Sequence, residues 1–143
     1  MDRGEIEKAI PHRDPFLWID RVEMLEPGVR CVAWKFVGLQ HPAFAGHFPS
    51  KPILPGVFLI EAMAQTAGVM LGSAAPRETQ PEGQRVPMLA AVNRFKFLKP
   101  VTPGQELRIE TKKLTDAGAM AYIEGTVTVD GEIVARGELV VSA

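Results

Sequence analysis

Three elements in the stretch GHFPSKPILPGVFLIEAMAQ, residues 46–65, could carry chemistry. His47 offers an imidazole, the ordinary general base near neutral pH. Glu61 sets a carboxyl among Ile60, Ala62, Met63 and Ala64. An ionised group in such surroundings needs a partner or takes up a proton, and a carboxyl that keeps its proton is a general acid. Between the two, Pro55-Gly56-Val57 starts a helix. The first N–H groups of a helix lack intrahelical acceptors and carry the positive end of its dipole. Gly56, without a side chain, lets a ligand approach its N–H closely. A base, an acid and an N–H donor are what elimination beside a thioester carbonyl requires. The base takes the α-proton, the donor holds the carbonyl oxygen, and the acid protonates a departing β-hydroxyl. The reaction requires no cofactor and no metal.

Each element also has a plainer reading. A glutamate can pair with a lysine at a helix edge, a histidine can be solvated, and Pro-Gly can simply open a helix. The flanks favour the chemical reading of Glu61. The other polar residue on its face is Gln65, four positions on, so both are expected to look along one line into a cleft. His47 stands before Phe48-Pro49, in a proline-stiffened loop that leads into the helix. His12 and His41 lie beside prolines in polar loops and read as structural or solvated. The three histidines form no HxxxH or HxH pattern, so no metal site is expected.

The elements that must position these groups follow from the pattern. Residues 3–9 suit a turn or two of helix before Pro11. LWIDRVEMLE (17–26) and VRCVAWKFVGL (29–39) read as strands joined at Pro27-Gly28. Residues 40–54 form a proline-rich loop without periodicity. Val57 to Leu71 is apolar on nearly every side, the pattern of a helix buried all round, with Gly72 placed to end it. Residues 73–85 read as a polar loop. Four strand-like runs follow, at 86–101, 105–114, 119–130 and 132–142, parted by Pro103-Gly104, Ala117-Gly118 and Asp130-Gly131. Asp-Gly between alternating runs is a strong hairpin signal. Two strands, one apolar helix and several antiparallel strands make an α+β chain. A helix apolar on every side needs cover on every side, which a curved antiparallel sheet supplies. This is the hotdog architecture. Residues 1–143 are expected to form a single domain, with dimerisation covering what one subunit leaves open.

Composition narrows the partners. The chain has 143 residues, 46% apolar and 23% charged, with a net charge of −1. A balanced charge gives nucleic acid or an anionic membrane no footprint. Cys31 is the only cysteine, so a thiolate metal cage and an intrachain disulfide are out, as suits a reducing compartment. The polar N-terminus lacks the apolar core of a signal peptide. The longest apolar run, from Pro52 to Ile60, stops at Glu61, well short of a membrane span. A cytoplasmic protein is expected.

PHRDPFLWIDR (11–21), GHFPSKPILPGVFLIEAMAQ (46–65) and RFKFLKPVTPGQEL (94–107) resemble the β-hydroxyacyl-[acyl carrier protein] dehydratases of the FabZ type, collinearly and over most of the chain. His47 and Glu61 stand 14 residues apart (61 − 47), with Pro55-Gly56-Val57 between them, as in that family. The glutamate separates this branch from the FabA type, which carries aspartate there. The resemblance implies a hotdog fold, a homodimer that often assembles as a trimer of dimers, and dehydration of β-hydroxyacyl groups on acyl carrier protein to trans-2-enoyl thioesters. It implies sites shared at the dimer interface: His47 of one subunit as α-proton base, Glu61 of the other as acid, Gly56 N–H on the thioester carbonyl. Phe44, Leu54, Val57, Phe58, Gln65 and Met88 are candidates for the acyl site. Arg94, Lys96 and Lys99 are candidates for a basic rim meeting the acidic carrier, although a solvated strand face would look the same. Ser50, Asp14 and MLAAVN (88–93) depart from the family pattern and bear on chain length and pathway rather than on the reaction. Two other readings stay open. A hotdog thioesterase would activate water with a carboxylate on the same helix and would not need His47. An acyl-binding hotdog protein would need neither group.

Overall fold

The computed structural model describes residues 1–74 and 87–142. Most of the expected polar loop, residues 75–85, lies outside them. The elements in order are α1 (Arg3–Ala9), β1 (Arg21–Glu26), β2 (Arg30–Phe36), α2 (Ala43–Gly46), α3 (Gly56–Gly72), β3 (Met88–Phe97), β4 (Glu106–Ala117), β5 (Met120–Val129) and β6 (Glu132–Ser142). The six strands form one antiparallel sheet in the order β1-β2-β4-β5-β6-β3. The long helix α3 lies across β2, β4 and β5. The chain has the α+β hotdog fold that the pattern predicts.

Strand alternation builds the inner face. Leu107, Ile109 and Thr111 of β4 and Ala121, Ile123, Gly125, Val127 and Val129 of β5 point inward and are buried. From α3, Leu59, Met63, Ala67 and Met70 meet them in one core. Each large side chain buried there contributes about 1.5–3 kcal/mol. Gly125 is required by this contact. A Cβ at that position would sit 2.1 Å from the Met63 sulfur, so the helix can approach the sheet only over glycine.

Three expectations shift on inspection. The first strand begins at Arg21, not at residue 17, although Leu17, Trp18 and Ile19 are buried. Here the Trp18 N–H is taken by the Gln65 side chain, so this segment bonds to the helix before it joins the sheet. The proline-rich loop holds the single helical turn α2. The helix α3 is not covered on every side within one chain. Val57 is 67% exposed and Ile60, Glu61 and Ala64 are half-buried.

The edge of the sheet at β3 is bare as well. In β3 only Ala91 and Phe95 are even half-buried, while Met88, Leu89, Val92 and Phe97 are exposed. A long apolar edge strand with unpaired backbone groups is a template for another strand. No helix among the described residues is long and apolar enough to cross a membrane.

Candidate active site

His47 closes the short turn α2. The loop after it folds back on itself. Phe48 N–H donates to Lys51 O (3.1 Å), Lys51 N–H to Phe48 O (3.0 Å), and Ile53 N–H to His47 O (2.9 Å). Pro49 and Pro52 stiffen it. The imidazole is held on both sides. Its Nδ1 lies 2.8 Å from Ile53 O, and its ring stacks on Phe48 at 4.1 Å. A carbonyl only accepts, so Nδ1 carries the hydrogen of the neutral ring. Nε2 is therefore the free lone pair, and a base must present that atom.

The turn delivers the chain to α3. Leu54 N–H donates to Val101 O (2.8 Å), fixing the loop against the segment after β3. Pro55 is the residue before the helix and supplies no side-chain cap, so the first-turn N–H groups depend on the backbone or on a ligand. A cleft of about 520 Å³ opens here, lined by His47, Leu54, Gly56, Val57, Ile60 and Phe97 among others. A Cβ at Gly56 would be 2.7 Å from the Phe97 ring, so a side chain there would push that ring aside. One chain thus brings His47 and Gly56 to a single, largely apolar cleft.

Glu61 does not line that cleft. Its side chain, 26% exposed, faces the loop that carries His12. Its Oε1 accepts a hydrogen bond from Gln65 Nε2 at 2.9 Å and lies 3.8 Å from His12 Nε2. Gln65 is fully buried and differs from the sequence expectation of a group facing a cleft. Its Oε1 accepts from Trp18 N–H (2.7 Å), and its Nε2 also donates to Phe16 O (2.9 Å).

The remaining candidates scatter. Leu54 and Val57 border the His47 cleft. Phe58 packs against Trp18 and His41, with ring centroids at 5.2 and 4.9 Å. Phe44 is buried and meets His41 edge-on at 6.3 Å. Met88 is exposed at the start of the edge strand β3. Arg94 and Lys96 are exposed on β3, where a bulge gives Arg94 a positive φ of 50°. Lys96 stands opposite Arg136 of β6. Lys99 borders the cleft and pairs with Glu132.

Sequence reasoning did not place Phe97 at the cleft or His12 beside Glu61. Phe97 is legible as one of two alternating phenylalanines near the β3 end, but not as the cover of Gly56. His12 has no local signal, because its neighbour Glu61 is remote in the chain. His41 is built into the aromatic cluster with Trp18, Phe44 and Phe58. Burial first, and the Lys35 ammonium second, hold it below the usual histidine range. Cys31 is buried, and desolvation pushes its thiol up to about 12, so it offers no thiolate nucleophile.

Residues 10–138 match the FabA-like domain family. The chain is 44% identical over 97% of its length to a 3-hydroxyacyl-[acyl-carrier-protein] dehydratase FabZ of Geotalea uraniireducens, covering 94% of that protein. It is 41% identical to the FabZ of Myxococcus xanthus, covering 96% of this chain and 88% of that one. Among solved structures, the dehydratase heterocomplex ApeI:P of Xenorhabdus doucetiae superposes with a TM-score of 0.77 at 21% identity, over 96% of this chain and 89% of that one. This last likeness is one of fold.

Proposed function

The chain belongs to the FabZ group of 3-hydroxyacyl-[acyl-carrier-protein] dehydratases within the FabA-like family, and we propose that it performs their reaction with His47, Gly56 and Glu61 at a site shared between two copies. It is a hydro-lyase of fatty acid biosynthesis that converts 3-hydroxyacyl thioesters on acyl carrier protein to 2-enoyl thioesters. The observation that supports the shared site is the separation seen in one chain. His47 and Gly56 line one cleft, whereas Glu61 turns away beside His12 and Gln65. One chain leaves Val57 of α3 and the apolar edge strand β3 exposed, surfaces that a second copy would bury in the proposed dimer.

In the proposed cycle the thioester enters the His47 cleft with its carbonyl oxygen on the Gly56 N–H. His47 Nε2 takes the α-proton, and negative charge develops on the oxygen that the N–H already faces. The electron pair forms the Cα–Cβ double bond as the bond from Cβ to the hydroxyl breaks. The partner's carboxyl gives its proton to the departing oxygen, which leaves as water. His47 is left protonated and the carboxyl ionised, and a proton passed back through solvent resets the pair.

Residues 1–143 work as one dehydratase domain in the cytoplasm, as a homodimer able to assemble as a trimer of dimers. Leu54, Val57, Ile60 and Phe97 line the first part of the acyl path. Arg94 and Lys96 on β3, with Arg136 opposite Lys96, and Lys99 at the cleft form a basic strip for an acidic carrier protein. Like charges set opposite each other on neighbouring strands cost stability, and an anionic partner relieves that cost.

The test is direct. Purified protein is incubated with a medium-chain 3-hydroxyacyl group on acyl carrier protein, and the carrier is followed by mass spectrometry. The expected result is loss of one water from the acyl group, reversed when the enoyl product is supplied. Release of free acid would replace the dehydratase with a thioesterase, and an unchanged carrier at every chain length would leave only binding.

A further inference from the structure

Phe97 belongs both to the His47 cleft and to the edge strand β3. The register of the sheet shows what stands beside it. Ile123, Gly125 and Val127 of β5 point to the inner face and stand opposite Leu139, Gly137 and Ala135 of β6. Directly opposed residues share a face. Leu139 and Ala135 in turn stand opposite Val92 and Phe97 of β3, so those two side chains also face inward. Phe95 joins them. A Cβ on Gly137 would point to the same inner face and meet Cγ of Phe95 at 2.8 Å. The Phe95 ring therefore lies on the β6 backbone, in the space where a side chain at 137 would stand.

Plain alternation would not produce this row. Positions 92 and 95 are an odd number of residues apart, whereas a strand returns to one face at every second residue. A bulge between Asn93 and Lys96, with Arg94 at a φ of 50°, supplies the extra residue. Bulges re-aim side chains and are common beside active sites. Among the described residues little lies over the row. The helix α3 crosses β2, β4 and β5, and Val92 and Phe97 are exposed while Phe95 is half-buried. The rings of Phe95 and Phe97 touch, with centroids 5.0 Å apart. Phe97 lines the cleft together with His47, Gly56 and Ile60. The apolar row is thus continuous with the cleft.

We propose that Phe95, seated on Gly137, is a specificity-determining residue that sets how long an acyl chain the enzyme accepts. This rests on the thioester binding at His47 and Gly56. From there the inner face of β3 offers the acyl carbons a continuous apolar floor, and the Phe95 ring is the first step beyond Phe97. A short chain ends before that step. A long chain must cross it, and its fit depends on how high the ring stands above the β6 backbone. Glycine at 137 keeps the ring low. The face of β3 serves the substrate, and its edge is left for the second copy.

The test measures kcat/KM for 3-hydroxybutanoyl, 3-hydroxydecanoyl and 3-hydroxyhexadecanoyl groups on acyl carrier protein. Gly137→Ala lifts the ring by a methyl group and should lower the hexadecanoyl-to-butanoyl ratio by roughly 10-fold or more, the scale on which apolar pockets discriminate. Phe95→Ala lowers the floor and should raise that ratio by about 5-fold or more. Added to Phe95→Ala, Gly137→Ala should change the ratio no further, because no ring is left to lift. A fall of the ratio in Phe95→Ala would make the ring a contact that holds the chain rather than a step that limits it. An unchanged ratio in both single variants would put the ring outside the acyl path. A dimer lost by light scattering with the ratio unchanged would give the row to a second copy. Each of these three results overturns the proposal. If Gly137→Ala does not fold, by circular dichroism, Phe95→Ala decides alone by the same criteria. No dehydration by the wild type at any chain length would instead remove the reading of the site, and this proposal with it.

Discussion

His41 shows what burial does to one titratable side chain. It packs edge-on against Trp18, Phe44 and Phe58, and its Nδ1 accepts from Ala43 N–H at 3.2 Å. Protonation would cost that acceptor, place charge among aromatic rings, and bring it near Lys35, which is itself paired with Asp20 at 3.1 Å. The folded state therefore binds this proton more weakly than the unfolded chain does. Its pKa is lowered on folding, so the unfolded state takes up more protons as pH falls from about 6.5, and stability falls with it. Wild type should lose urea resistance between about pH 6.5 and 5 faster than His41→Leu does. Parallel curves for the two proteins would assign the slope to other groups. Glu110 acts with the same sign at lower pH. Its hydrogen bond from Arg30 holds it below the usual carboxylate range, and that stabilisation disappears as pH falls through the lowered value.

At the scale of elements, the contact between α3 and the sheet decides where Gly56 and Glu61 stand. Helix and sheet close up because Gly125 gives Met63 a place on the β5 backbone. Gly125→Ala would put a methyl 2.1 Å from the sulfur and 2.5 Å from Cγ of Met63. Overpacking of this kind costs about 1–3 kcal/mol, and the urea midpoint should fall accordingly with an unchanged slope. A neutral result would mean that Met63 has a second rotamer with room to spare. The loop before α3 works by the same logic of mutual closure. Its backbone bonds to itself at residues 47, 48, 51 and 53 and to Val101 through Leu54. His47 is positioned without belonging to a long helix or a strand.

For the whole molecule, the separation of these residues within one chain is the main consequence of the fold. One chain sets His47 and Gly56 on a cleft that Glu61 does not line. His47→Ala and Glu61→Gln should each lower turnover by roughly 10²-fold or more, the scale of lost acid–base catalysis. Mixed in equal amounts and allowed to exchange subunits, the two inactive proteins should recover part of the activity, because some heterodimers hold one intact site. No recovery in verified heterodimers would place both groups of a site in one chain.

How much was legible follows from the range over which each signal acts. Helix and strand periodicity, the Asp130-Gly131 turn, the α+β order and the chemical type of His47, Gly56 and Glu61 are local in the chain. All of them could be read from the residues themselves. The strand at residue 17 was misplaced because a side chain from α3, Gln65, captures the Trp18 N–H. The cleft around His47 was anticipated only in part, because Phe97 comes from a strand far along the chain. That Glu61 lies beside His12 as well as Gln65 depends on which face of α3 meets the segment at residues 12–18. The sequence by itself determined which groups could act and on which elements they lie. Tertiary packing alone decided which of them share a cavity, because direction around a buried helix is set by what covers it.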